Sequence, residues 1–202
     1  MLKRGTGART GGFTLVELAI VLVIIGLLLG MALKGRQLIK SAREDAFYNK
    51  LQKISAAINI FYERYNRLPG DGCTNNPSTG LCTTSNTYLN GRIDTTTEQA
   101  AFWSELRNTG LLTEADRREP FTGKLLVFSN YSSPPYDGIW LETAYNEPAS
   151  AICRVDQKFD DGNAAPSSGG IIFTDAGNEY DPDTDCDSLT GVVEGNFNVY
   201  RY

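Results

Sequence analysis

From Phe13 to Leu33 the chain runs for 21 residues in which only Thr14 and Glu17 are neither apolar nor glycine. At 1.5 Å per residue a helix over this run spans about 31 Å, close to the thickness of a bilayer's hydrocarbon core. Lipid admits only structures that satisfy their own backbone hydrogen bonds, and one uninterrupted run selects the helix. An ionised carboxylate at that depth costs roughly 2.5–3.5 kcal/mol on insertion scales. Glu17 therefore calls for a partner, and its place near the start of the run reads as a device for finding one.

Upstream, Lys3, Arg4 and Arg9 are basic, and no acidic residue precedes Glu17. Positive charge ahead of an apolar segment holds the N-terminus in the cytoplasm and sends the rest of the chain across. A secretory signal would carry its small-residue cleavage site beyond the apolar core. Here Gly11-Gly12 comes before it, so a cut after Gly12 leaves the whole membrane segment in the product. Spacing alone equally allows an uncleaved N-terminal anchor.

Gly12-Phe13-Thr14-Leu15-Val16-Glu17 and the apolar residues after it resemble the class III signal of type IV pilins and pseudopilins. The resemblance implies cleavage between Gly12 and Phe13 by a prepilin peptidase, with methylation of the new Phe13 amine. It further implies that Glu17 pairs with the Phe13 amine of a neighbouring subunit during assembly. Mature subunits would leave the bilayer by packing apolar helices into a filament core, where buried area holds them together. Glu17 is expected to be unpaired in an isolated subunit and to gain a charge-assisted bond when a second subunit is correctly staggered. An orphaned partner of a buried pair costs on the order of 3–5 kcal/mol, so register selection is its expected role.

Beyond Lys34-Gly35-Arg36, apolar residues recur at Phe47, Leu51, Ile54, Ile58, Phe61 and Tyr65, in steps of four and three. This spacing predicts a helix with one buried stripe. The opposite face carries Arg43, Glu44, Lys50, Lys53 and Asn59, and Leu68-Pro69-Gly70 supplies the stop. Joined to the membrane run, the helix is expected to extend roughly 80 Å. Bending or local melting is expected at Gly26, Gly30 and Gly35. The same stripe would also suit a coiled-coil dimer. Many pilins similar to this chain have a proline near the place of Lys34, but none occurs here between Met1 and Pro69, which leans toward pseudopilins or minor pilins.

The expected organisation is a leader over 1–12, a membrane and filament-core helix over 13–35, and a head over 36–202 that includes the amphipathic half-helix. Without the leader, 16 Lys and Arg stand against 24 Asp and Glu, a formal side-chain charge of −8. That balance argues against nucleic acid as a general partner. Roughly 135 residues beyond the helix suffice for one domain with its own core.

Four cysteines on the exported side imply two disulfides, and Cys73–Cys82 with Cys153–Cys186 is the favoured connectivity of three. The first would close a small loop after the helix, and the second would tie down the C-terminal region in a manner similar to pilins. Free buried thiols are the alternative. Thr95 and Glu98 form a capping-box pattern for a helix ended by Gly110. Strands are expected at Lys124–Ser129 and Gly138–Glu142 around Ser132-Ser133-Pro134-Pro135. A helix is expected from Pro148 to Asp160-Asp161-Gly162, and closing strands at Gly170–Thr174 and Val192–Tyr200. The fold class is α+β, with a long N-terminal helix packed on a small antiparallel sheet with extra helices. The Leu68-Pro69-Gly70-Asp71 loop and the 156–162 segment also resemble prepilin-type proteins of Gram-negative envelopes.

Asp181, Asp183 and Asp185 alternate as calcium ligands do, and pseudopilins are similar in sometimes using calcium. An EF-hand, however, would want glycine and glutamate where Cys186 and Val192 stand. A solvated acidic loop is the favoured reading, with calcium at these three residues as the alternative; no other cofactor is expected. Histidine is absent, which removes Ser-His-Asp, Cys-His and the commonest zinc chemistry. Enzymatic activity is not expected. Tyr131, Tyr136 and Trp140 are candidates for an adhesive surface, with core packing as the default.

The expected function is a structural subunit of a type IV pilus or related filament. A type II secretion pseudopilin, or a minor pilin with a ligand-binding head, is the alternative. Expected partners are other pilin subunits, the prepilin peptidase, the inner-membrane assembly machinery and, before assembly, the membrane. The head would lie on the extracytoplasmic side of the inner membrane and then in an extracellular pilus or periplasmic pseudopilus.

Overall fold

The computed structural model describes residues 12–118, 127–131, 138–143, 147–165, 170–174 and 180–201. The chain divides into two compact units, 1–42 and 43–202.

Helix α1 covers Leu15–Tyr65 and stays α-helical through Gly26, Gly30 and Gly35, so the local melting expected there is not seen. An α-helix tolerates isolated glycines at roughly 1 kcal/mol each, and neighbouring hydrogen bonds carry it through. In the second unit, α1 buries Phe47, Leu51, Ile54, Ala57, Ile58 and Phe61. Tyr65, expected to close this stripe, is 38% exposed. The helix stops because Asn66 turns to φ +52°, a left-handed conformation that asparagine tolerates, before the Leu68-Pro69-Gly70 signal is reached.

Helix α2, Thr96–Asn108, starts at the expected capping box: Thr95 Oγ1 accepts from Glu98 N, and Glu98 reaches back to the Thr95 amide. Gly110 follows it at φ +75°. A 3-10 turn at Glu114–Arg117 packs on the α1 face expected to meet solvent. There the Lys53 ammonium meets Asp116 at 2.7 Å, and Lys50 donates to Ala115 O.

Strands β1 (Val127–Tyr131), β2 (Gly138–Glu142), β3 (Glu147–Pro148), β4 (Ile172–Thr174), β5 (Val192–Val193) and β6 (Gly195–Arg201) are all antiparallel. The larger sheet has the order β1-β2-β6-β4, and β3 pairs with β5. The expected Val192–Tyr200 strand is thus two, divided at Glu194, with each half serving a different sheet. Helix α3, Ala149–Phe159, begins after Pro148, whose missing N–H costs nothing at that place. The turn residues Ser132–Pro135 and Tyr136 lie outside the described residues.

One core joins α1, α2, α3 and the inward face of the larger sheet, with Ile139, Leu141 and Phe197 in the same buried cluster as Ile58, Phe102 and Ile152. Phe47 and Phe197 pack edge to face at 4.7 Å. Trp140, a surface candidate by sequence, is instead a core residue, 1% exposed and packed against Phe173 at 4.9 Å. The architecture is the α+β arrangement of a long helix on a small antiparallel sheet.

Candidate functional site

At the start of α1, Leu18 N donates to Thr14 O, which makes Thr14 the residue that caps the helix. Glu17 Oε2 accepts from the Thr14 amide at 2.8 Å and from Thr14 Oγ1 at 2.9 Å, and Glu17 N donates to Thr14 Oγ1 at 3.2 Å. This is a second capping box, with the same Thr-x-x-Glu spacing as Thr95 and Glu98. Glu17 is thus hydrogen-bonded at its own helix start: a threonine three residues before a first-turn glutamate closes a reciprocal pair at no tertiary cost. Both bonds fall on Oε2, and Oε1 accepts none among the described residues.

Every residue from Gly12 to Lys34 is exposed, with Phe13 at 83% and Leu15 at 87%. Among the described residues, α1 is the one helix long and apolar enough to cross a membrane, and its apolar window buries nothing inside the chain. A wholly apolar surface of this size needs lipid or other apolar helices around it. The apolar anchor is compatible with membrane residence. Gly12 and Phe13 sit just ahead of the helix, exposed and outside regular structure.

The four cysteines pair as favoured, Cys73–Cys82 and Cys153–Cys186, which excludes free thiols. Around the first disulfide, three buried carboxylates organise the long loop after α1. Glu105 on α2 receives both terminal nitrogens of Arg67 together with the amides of Gly70 and Cys82. Glu98 receives the amides of Gly72, Asp94 and Thr95, and Asp71 those of Asn90 and Gly91. Burial raises the Asp71 carboxyl above its ordinary range. Only the Glu98 cap was readable in the sequence.

The second disulfide ties α3 to the acidic loop Asp181–Asp187. Gln157 Nε2 donates to the carbonyls of Pro182 and Thr184, while Arg154 joins Glu44 (2.6 Å) to Asp187 (2.8 Å). Glu44, expected on the solvent face, is 5% exposed because this guanidinium compensates its charge. Asp181, Asp183 and Asp185 are exposed and do not converge. Asp181 Oδ1 instead accepts from Asp183 N and Thr184 Oγ1, and Asp185 from Asp187 N. These contacts are those of a solvated turn.

The carboxylates that do converge are Asp156 on α3 and Asp160 and Asp161 at the helix end expected there; their oxygens lie within 4.8 Å of one another. Asp156 is fully buried and accepts from Tyr180 Oη at 2.8 Å and Gly162 N at 3.0 Å. Burial, aided by the charges of Asp160 and Asp161, pushes its carboxyl up to about 7 against the pull of those two bonds. Burial likewise raises Asp160, whose Oδ2 accepts from the Ile171 and Ile172 amides. Tyr180 is raised by burial and then by the Asp156 charge.

Residues 7–33 match the prokaryotic N-terminal methylation motif, the signal of type IV pilins and pseudopilins. A search of curated proteins finds no match to the chain.

Proposed function

We propose that this chain, with its pilin-type methylation signal at residues 7–33, is a structural subunit of a type IV pilus or related filament. In this reading prepilin peptidase cuts between Gly12 and Phe13, the Phe13 amine is methylated, and the mature chain polymerises through the apolar half of α1. The carrying observation is a helix whose apolar residues from Leu15 to Leu33 are exposed and lie within that signal. Such a surface is stable in lipid as a monomer and in a bundle of like helices as a polymer, and transfer between the two is the assembly step.

Glu17 fits a register role through Oε1. The cap uses Oε2, so a neighbour's cationic Phe13 amine gains a charge-assisted bond without breaking the helix start. Its partners in the cell are then other pilin-type subunits, the peptidase and the inner-membrane assembly machinery. Within this class, α1 runs without proline from Leu15 to Tyr65, which favours a pseudopilin or minor pilin over a major pilin.

The test is mass spectrometry of sheared surface filaments and of the membrane fraction from native cells. The reading expects a mature chain beginning at methylated Phe13; a peptide that spans Gly12 and Phe13 intact in both fractions overturns it. Abundance in filaments distinguishes shaft from minor subunit. The Glu17→Ala variant is expected to be cut and membrane-inserted yet to incorporate poorly, and normal incorporation would refute the register role.

A further inference from the structure

In the second unit Gln52, Ser55, Asn59, Tyr62 and Asn66 follow one another in steps of three and four, so their side chains form one stripe along α1 and its end. At 1.5 Å per residue the stripe is about 21 Å long. It carries no charge, in a unit where residues 43–202 hold 13 Lys and Arg against 23 Asp and Glu, a formal −10. Gln52, Asn59, Tyr62 and Asn66 are exposed, and Ser55 is partly buried. Among the described residues the side chains of Gln52, Ser55, Tyr62 and Asn66 make no hydrogen bond, and Asn59 makes one, to the Ser55 carbonyl.

Two depressions lie along this stripe. One, of about 300 Å³, is walled by Tyr62, Asn66 and Tyr200; the other, of about 360 Å³, by Gln52, Ser55, Asn59, Asn198 and again Tyr200. The charged residues at their walls are engaged within the head: Arg67 by Glu105, Asp71 by the Asn90 and Gly91 amides, and Arg201 by the Gly170 carbonyl. Asn198 is the reverse case, because its Nδ2 is a buried donor without an acceptor among the described residues.

The groove therefore presents amides, hydroxyls and two tyrosine rings. Amides and hydroxyls both donate and accept, as sugar hydroxyls do, and the C–H faces of a pyranose pack on aromatic rings. Depressions of this size suit a small ligand or successive units of a chain. An anionic ligand would find these cations already engaged and would be repelled by the head's net charge. A neighbouring helix would need an apolar stripe to bury, and four of these five side chains are amides or a hydroxyl.

We propose that this groove binds a neutral glycan chain, with sugar rings against Tyr62 and Tyr200 and hydroxyls on Gln52, Asn59 and Asn66. Every residue in it belongs to the head, so the inference stands apart from the filament reading.

The test is a saturation-transfer NMR titration of the mature full-length protein in a detergent without sugar headgroups. The probes are maltotetraose, cellotetraose and N-acetylchitotetraose, with tetragalacturonic acid as the acidic control. At least one neutral probe is expected to bind with a Kd below about 1 mM, its ring C–H protons receiving the transfer. Tyr62→Ala should weaken that binding about tenfold, while Tyr62→Phe, which keeps the ring, should stay within about twofold. Asn66→Gly suits the φ of +52° and removes only the amide, so about fivefold weakening is expected. Unchanged urea midpoints would show that the head stays folded in each variant. Binding of none of the neutral probes, tighter binding of the acidic one, or wild-type affinity in Tyr62→Ala overturns the proposal. Loss of sheared filament in Tyr62→Ala cells, with no sugar bound by the wild type, would assign this face to a neighbouring subunit and overturn it too.

Discussion

The Asp156→Asn variant should become increasingly more stable than wild type as pH rises. In the native head Asp156 is fully buried, and its carboxyl is pushed up to about 7, whereas in the unfolded chain it has the ordinary 3.8. Between those values the native state holds a proton that the unfolded state has released. Stability therefore falls with rising pH through this window and levels off above it. A gap of about three pH units corresponds to about 4 kcal/mol, a large share of the 5–15 kcal/mol typical of a domain.

Asparagine matches the protonated carboxyl in shape. It keeps an acceptor for the Gly162 amide, and its NH2 can donate to the Tyr180 oxygen or to Asp160. At pH 4 the variant should thus resemble wild type, and at pH 8 it should be the more stable by about 4 kcal/mol. The assay is urea unfolding of the mature full-length protein in mild detergent, followed by the fluorescence of the buried Trp103 and Trp140. Because Asp71 and Asp160 also sit above their ordinary range, the informative quantity is the difference between the two proteins at each pH. A difference constant within about 1 kcal/mol from pH 4 to 8 would refute the buried-proton argument.

Two further perturbations test how the head is held. At Gly70 the backbone has φ +84°, and an added Cβ would overlap the Glu98 carbonyl oxygen, so Gly70→Ala should cost about 2–4 kcal/mol. Gly80 has φ +65° but open space around it, so Gly80→Ala should cost only about 1 kcal/mol; equal losses in urea unfolding would contradict the overlap. Replacing both cysteines by serine should cost about 2.6 kcal/mol at Cys73–Cys82 and about 3.7 kcal/mol at Cys153–Cys186, following loops of 9 and 33 residues. A reversed order in thermal unfolding would show that native contacts outweigh loop entropy.

What the sequence made legible was whatever depends on neighbours in the chain. The four-and-three spacing from Phe47 to Phe61 marked the buried stripe, and Thr95 with Glu98 marked a helix start. The Thr14–Glu17 box has the same local signature, but a membrane run drew attention to the cost of the charge and away from its cap. Features set by distant partners left no periodic trace. Glu44 is buried only because Arg154, 110 residues later, arrives on α3. Lys50 and Lys53 meet the 114–117 turn in place of water. Asp156 reads as an unremarkable polar position on a short helix until Tyr180 and Gly162 close over it. The Val192–Tyr200 run is divided at Glu194 because its halves pair with different strands, which composition does not encode.

The loop between Arg67 and Thr95 is held from beneath, by side chains, with little regular backbone pairing of its own. Seven of its amides, at Gly70, Gly72, Cys82, Asn90, Gly91, Asp94 and Thr95, end on the carboxylates of Asp71, Glu98 and Glu105. Donors of this kind come from the main chain and place no demand on which side chains the anchored residues carry outward. Mutational cost is thereby concentrated in a few acidic positions and in glycines such as Gly70. The intervening surface, including Leu81, Tyr88 and Leu89, can diverge with little penalty to folding. A head built this way can change its outer face over many generations while its scaffold stays fixed.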